Sequence, residues 1–117
     1  KLSLAELLLD ARPDDKKFCR KIVQLAQGIE NESALHAALL LYKGKALRLL
    51  EMPEPARSVL TDALRKRADR PPELIHALQY ERALAYEALK QDGRARSEFE
   101  KLFAEAPDYE DVAARLA

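Results

Sequence analysis

The chain has 117 residues, 48% of them hydrophobic and 34% charged, which is enough apolar side chain for one domain with a packed core. The 20 Lys and Arg residues balance the 20 Asp and Glu residues, and this zero net charge argues against a dedicated nucleic-acid-binding protein, which needs a basic excess. The single cysteine, Cys19, excludes an intramolecular disulfide, and no apolar run approaches the ~20 residues of a membrane span.

Helix start and stop signals divide the chain into segments. Few glycines and many Ala, Leu, Glu, Lys and Arg residues favour an all-α fold, because these side chains lose little freedom in a helix. A capping-box pattern at residues 3–6 opens the first helix, Asn31 or Ser33 opens the third, and Pro53 and Pro55 end it. The predicted helices cover residues 3–11, 16–27, 33–51, 55–68, 72–91, 94–106 and 108–117. Their short connections predict antiparallel helical hairpins.

An internal repeat relates the third and fourth predicted helices to the fifth and sixth, at an offset of 39 residues. Across this offset small residues fall on small ones and large on large: Gly44 on Ala83, Leu47 on Tyr86, Ala56 on Ala95, and Leu60 on Phe99. Ala63 falls on Leu102, which is a departure at the second small position of the second helix. Small residues let the two helices of a hairpin approach closely, so we expect Gly44 to meet Ala56 and Ala83 to meet Ala95. One hairpin cannot bury its apolar face alone, and the second is therefore expected to stack on it.

The second copy, residues 76–109, resembles a tetratricopeptide (TPR) repeat. The small residue, aromatic, alanine, aromatic and terminal proline of that family are matched by Ala83, Tyr86, Ala95, Phe99 and Pro107. The first copy resembles the same motif through Gly44, Leu47, Ala56, Leu60 and Ala63. The chain departs from the family at Leu40 and Gln79, where an aromatic is usual, and its spacing exceeds the usual repeat length of about 34 residues.

This resemblance implies a short right-handed solenoid of about seven helices in a single domain, residues 1–117. Residues 33–70 and 72–107 would be its two repeats, and residues 108–117 a C-terminal capping helix. Residues 1–30 would form either an N-terminal capping hairpin or a degenerate repeat.

The resemblance also implies a function, because first helices of successive TPR repeats line a concave groove that receives an extended peptide or a partner helix. By position, the groove residues are expected to be Leu41, Lys45, Arg48, Tyr80, Leu84 and Glu87. Lys45 and Arg48 are three residues apart and share a helix face, so together they could hold a carboxylate of an acidic peptide. The alternative is that both pair with Glu87 or simply face water.

The sequence carries no recognisable catalytic apparatus, and we expect no enzyme, cofactor or metal site. His36 and His76 have no partners at metal-ligand spacing, and Gly-rich phosphate loops and nucleophile elbows are missing from the sequence. The basic cluster of residues 65–67 with Arg70 is interpreted as a solvated helix end, since cations stabilise the last turn of a helix. Asn31, followed by Glu32 and Ser33, is formally a glycosylation acceptor, which matters only in a secreted chain.

We therefore predict an adaptor or scaffold of the cytoplasm whose partner is another protein or a peptide, with no nucleic-acid or membrane partner. The alternative is a homo-oligomerisation or assembly domain of a larger protein, with the chain as its own partner. Leucines within residues 2–9 motivate this alternative, because they cover more of the first predicted helix than one core face requires.

Overall fold

The computed structural model describes residues 16–117, which form six α-helices and no strand. In chain order these are α1 (Lys16–Leu25), α2 (Ala34–Leu49), α3 (Pro53–Leu64), α4 (Pro72–Ala88), α5 (Asp92–Glu105) and α6 (Val112–Leu116). The predicted all-α fold is confirmed for this part of the chain. The predicted helix at residues 3–11, with its capping box and its leucines, lies outside the described residues.

Two helical hairpins form the centre of the molecule. Helix α2 packs against α3, and α4 packs against α5, each pair being joined by a turn of three residues, 50–52 and 89–91. The hairpins meet because both helices of the first pack against α4. Helix α1 packs on α2 and α6 packs on α5, so each flanking helix covers one end of the stack.

The two hairpin turns have the same backbone structure. Glu51 and Lys90, which are 39 residues apart, each have a left-handed φ of 63°. In the first turn the amide of Met52 donates to the carbonyl of Leu47 at 2.9 Å, and the equivalent bond in the second turn has the same length. This bond, with a left-handed residue just after the helix, defines the Schellman type of helix end. The repeat found in the sequence is therefore present in the backbone.

Several predicted helix boundaries are wrong by a few residues. Helix α3 begins at Pro53 and α5 at Asp92, each two residues earlier than predicted. Proline is tolerated in the first turn of a helix, where its missing amide has no intrahelical partner, and Pro53 therefore opens α3 instead of merely ending α2. At the C-terminus, the predicted helix 108–117 is reduced to α6, because residues 107–111 form turns.

Helix α3 ends four residues earlier than predicted because side chains from elsewhere satisfy its last carbonyls. The Nδ2 atom of Asn31, which lies between α1 and α2, donates to the carbonyls of Asp62 and Ala63, both at 3.0 Å. The guanidinium of Arg70 holds Asn31 in place by donating to its side-chain oxygen at 3.1 Å. Arg67 donates to the carbonyl of Leu64 at 3.2 Å, as expected for a cation at a helix end.

Most residues of the repeat signature lie in the core. Ala56, Leu60, Ala63, Ala83, Ala95, Phe99 and Leu102 are all at most 2% exposed. Tyr86 is half-buried, and Pro107 is exposed in the turn before α6. The expected close approach occurs at Gly44, but the atoms nearest to a Cβ built there belong to Leu60, at 2.6 Å, and not to Ala56.

Candidate peptide-binding cavity

A cavity of about 380 Å³ lies between α2, α4 and the segment that leads into α6. Helices α2 and α4 supply eight of its lining residues: Leu41, Tyr42, Lys45, Arg48, Ala77, Tyr80, Glu81 and Leu84. Tyr109 and Glu110 complete the lining from the segment before α6. The structure thus brings five of the six predicted groove residues together, and Glu87 is the one left outside.

Arg48 is committed to a partner inside the protein. Its Nε atom lies 2.9 Å from Oε2 of Glu81, and its Nη2 atom donates to the other carboxylate oxygen at 3.3 Å. The two side chains are only 23% and 9% exposed, respectively. An ion pair with two hydrogen bonds at this depth has fixed geometry, so Arg48 is not free to hold a ligand carboxylate.

Lys45 is the cavity's available cation. Its side chain is half-buried on the same face of α2 as Arg48, and it pairs with no residue that the structure describes. Of the two cations predicted to act jointly on a carboxylate, Lys45 alone can do so without breaking an existing bond.

Aromatic rings form one wall of the cavity. Tyr80 makes edge-to-face contacts with Phe99 and Tyr109, at ring-centre distances of 5.9 and 5.5 Å. Its hydroxyl donates to the carboxylate of Asp111 at 2.5 Å. Burial raises the pKa of Tyr80, and it raises the pKa of Tyr109 to about 12. The hydrogen bond from Tyr80 in turn lowers the pKa of Asp111. The wall is therefore largely apolar, and the hydroxyl of Tyr80 is bonded to Asp111.

Glu87 fastens α6 to α4 instead of facing the groove. Its two carboxylate oxygens lie 2.9 and 3.2 Å from Nη1 of Arg115, whose Nε atom also lies 3.0 Å from Asp111. The guanidinium of Arg115 stands 5.5 Å from the ring centre of Phe99. The predicted pairing of Lys45 and Arg48 with Glu87 is therefore wrong, whereas the other branch of that alternative, a side chain that faces water, remains compatible with Lys45.

A register shift between α2 and α4 explains why Glu81, and not Glu87, meets Arg48. The 39-residue repeat makes Glu87 the equivalent of Arg48, but the observed partner lies six residues earlier, about 9 Å along a helix axis. Equivalent residues of the two first helices are therefore not side by side. Helical periodicity places Glu81 on one face with residues 77, 80 and 84, but it also places Glu87 on a face with residues 80 and 84, so spacing alone did not distinguish the two.

Other candidate chemistry in the sequence is accounted for by local structure. Within residues 16–117, no three His, Cys, Asp or Glu side chains meet in an arrangement that could hold a metal ion. Nδ1 of His36 accepts the amide of Glu32 at 3.3 Å, and Nε2 of His76 lies 3.3 Å from the carboxylate of Glu105. None of the six described helices is long and apolar enough to cross a membrane.

No protein-family model, curated protein or solved structure matches the chain. Function is therefore inferred from the residues of the cavity and from the repeated hairpin that positions them.

Proposed function

We propose that this chain is a TPR-like interaction module that holds a peptide or partner helix in the cavity between α2 and α4. The observation that carries the proposal is the common location of Leu41, Lys45, Arg48, Tyr80 and Leu84, which line one cavity from both hairpins. The repeated Schellman turns at Glu51 and Lys90 support the solenoid architecture, because they give both hairpins the same geometry.

The lining chemistry favours binding over catalysis. The volume of about 380 Å³ lies within the range of ligand pockets, which is roughly 300–1,000 Å³, and it suits a few side chains of a peptide. Its lining contains leucines, tyrosines and charged residues but no Ser, Cys or His, so the usual nucleophile and base pairs are missing. Its buried carboxylate, Glu81, is held by Arg48. An adaptor without enzymatic activity fits these residues best.

The bonds of Asn31 argue against its glycosylation and are compatible with a cytoplasmic location. Its Nδ2 atom donates to two carbonyls at the end of α3. A glycan on that nitrogen would replace one of the two hydrogens and remove a bond that ends the helix. The acceptor sequence at Asn31 therefore serves the fold, and the buried thiol of Cys19 is compatible with a reducing compartment.

The test is selection of random 12-residue peptides on the immobilised domain, followed by affinity measurement with the selected peptides. We expect Lys45→Glu to weaken binding by about tenfold or more, because it places a negative charge where the ligand carries its own. Lys43→Glu is the matched control: Lys43 lies on the same helix, is also half-buried and does not line the cavity. Arg48 is left unchanged, because its replacement would leave the carboxylate of Glu81 without its ion-pair partner.

Three outcomes are distinguishable. Loss of affinity in Lys45→Glu alone supports the cavity as the binding site. Equal affinity of both variants would place binding elsewhere on the surface and overturn the proposal. If no peptide is selected and the domain grows in size with concentration, the assembly-domain alternative replaces it.

A further inference from the structure

Two opposite charges at the cavity have no ion-pair partner in the part of the chain that the structure describes. Arg48 and Glu81 neutralise each other, which leaves Lys45 on α2 and Glu110 on the segment before α6 as the remaining charged lining residues. Neither forms an ion pair with any residue in the described range 16–117. They come from different elements of the fold and do not pair with each other across the cavity.

The backbone around Glu110 is fixed, although its carboxylate is exposed to water. On one side, the ring of Tyr109 packs edge-on against Tyr80 and against His76, at 5.5 and 6.2 Å. On the other side, Asp111 accepts the hydroxyl of Tyr80. Both neighbours of Glu110 are thereby attached to α4. The backbone of Glu110 therefore has a set position at the rim of the cavity, and its carboxylate stays within side-chain reach of that point.

A ligand that fills the cavity removes water from both charges, and each then needs a counter-charge. Burying an unpaired charge costs far more than burying a paired one, so an apolar ligand would bind poorly over Lys45 and Glu110. A uniformly acidic ligand would satisfy Lys45 but be repelled by Glu110. The half-buried Leu41 and Leu84 also line the site and favour an apolar side chain on the same ligand.

We propose that Glu110 is a specificity-determining residue, which makes the cavity select a peptide with an acidic side chain for Lys45 and a basic side chain for Glu110. This inference rests on the proposed function and adds to it the charge order of the ligand. The partner is therefore a segment of mixed charge, with an apolar residue beside the two charged ones, and not a purely acidic tail.

The probe is a set of octapeptide libraries. In each library one position is fixed as Asp, Leu or Lys, and the other seven positions vary. Wild-type domain is expected to enrich an acidic residue at one position and a basic residue at another. Glu110→Lys should abolish the preference for a basic residue in the peptide and keep the preference for an acidic one. Lys45→Glu should abolish the preference for an acidic residue and keep the preference for a basic one. The double variant should reverse the order of the two charges in the enriched peptides.

The matched control is Asp108→Lys, an exposed residue two positions before Glu110 that does not line the cavity. It reverses a charge in the same segment and should leave both preferences unchanged. Circular dichroism of each variant checks that the helices are retained. A basic preference that survives Glu110→Lys, or that disappears equally in Asp108→Lys, would overturn the role of Glu110 while the cavity remains a peptide site. If the wild-type domain enriches no peptide, both the charge order and the proposed function fail.

Discussion

Arg48 and Glu81 join the two hairpins through a nearly buried ion pair, with Nε of Arg48 2.9 Å from Oε2 of Glu81. The pair lines the cavity together with Tyr80 and with Lys45, which forms no ion pair within residues 16–117. It fixes α2 against α4 and, in the proposed binding function, removes one cation from the reach of a ligand.

Removing the cation of this pair should destabilise the domain strongly. We expect Arg48→Gln to lower the free energy of unfolding by about 3 kcal/mol, because Glu81 would remain buried without a counter-charge. Urea denaturation measures the change. Adding Glu81→Gln should recover much of the loss. The control is Arg65→Gln, whose pair with Asp62 is more than half exposed on both sides and should matter little. Equal decreases in the free energy of unfolding in Arg48→Gln and Arg65→Gln would contradict the structural role of the buried pair.

Two helical glycines should respond oppositely to the same substitution. A Cβ at Gly44 would lie 2.6 Å from two side-chain carbon atoms of the fully buried Leu60, so Gly44→Ala must displace the Leu60 side chain within the core or push α2 and α3 apart. Overpacking of this kind costs about 1–3 kcal/mol and exceeds the gain in helix propensity. A Cβ at Gly93, in the first turn of α5, meets nothing within 4 Å. Gly93→Ala should therefore raise the melting temperature, and Gly44→Ala should lower it; the same sign for both would refute this reading of the interface.

The left-handed residue of the second hairpin turn offers a stabilising substitution. Lys90 has φ of 63° and no ion pair with a described residue, so Lys90→Gly removes backbone strain without removing a contact. We expect the free energy of unfolding to rise by up to about 1 kcal/mol, measured by thermal denaturation. Lys101→Gly, in the interior of α5, should instead lower the free energy of unfolding by about 1 kcal/mol. If Lys90→Gly lowers the stability as much as Lys101→Gly does, glycine does not relieve strain in the turn.

Alkaline pH should weaken the attachment of the segment before α6. Burial raises the pKa of Tyr109 to about 12 from its ordinary value of 10.0, so the folded protein holds this proton more tightly than the unfolded chain. The resulting stabilisation is complete below pH 10 and is lost as pH rises through 12. Tyr109→Phe lacks this dependence. The difference in melting temperature between wild type and Tyr109→Phe should therefore stay constant from pH 7 to 9, and the melting temperature of wild type should fall relative to that of Tyr109→Phe between pH 10 and 12. A difference that remains constant across the whole range would show that Tyr109 does not ionise in this way.

Local signals in the sequence predicted the helices well. Ser33 was one of two candidates for the start of α2, and its hydroxyl does accept the amide of His36 at 3.1 Å. The 39-residue repeat placed both hairpin turns, since a Schellman end depends only on the backbone of a few consecutive residues. The early end of α3 was not predictable in this way, because it depends on Asn31, which lies 31 residues before Asp62.

The cavity was predicted only in part, for a geometric reason. Helical periodicity identifies which residues of α2 and α4 share a face, and five of the six predicted groove residues do line the cavity. Periodicity does not give the shift of one helix along another, and for that reason Glu87 was chosen in place of Glu81. Glu110 could not have been found by this route, because it lies outside any helix and is placed by the contacts of Tyr109 and Asp111.

The matching hairpin turns have a practical consequence for engineering. Main-chain hydrogen bonds close both turns, so the turns themselves do not depend on the side chains that line the cavity. Lys45 can therefore be varied with little effect on the fold, whereas Leu41 and Leu84 also pack against the core and call for apolar replacements. Arg48 and Glu81 must be exchanged together as a unit, since either one alone would leave a buried charge.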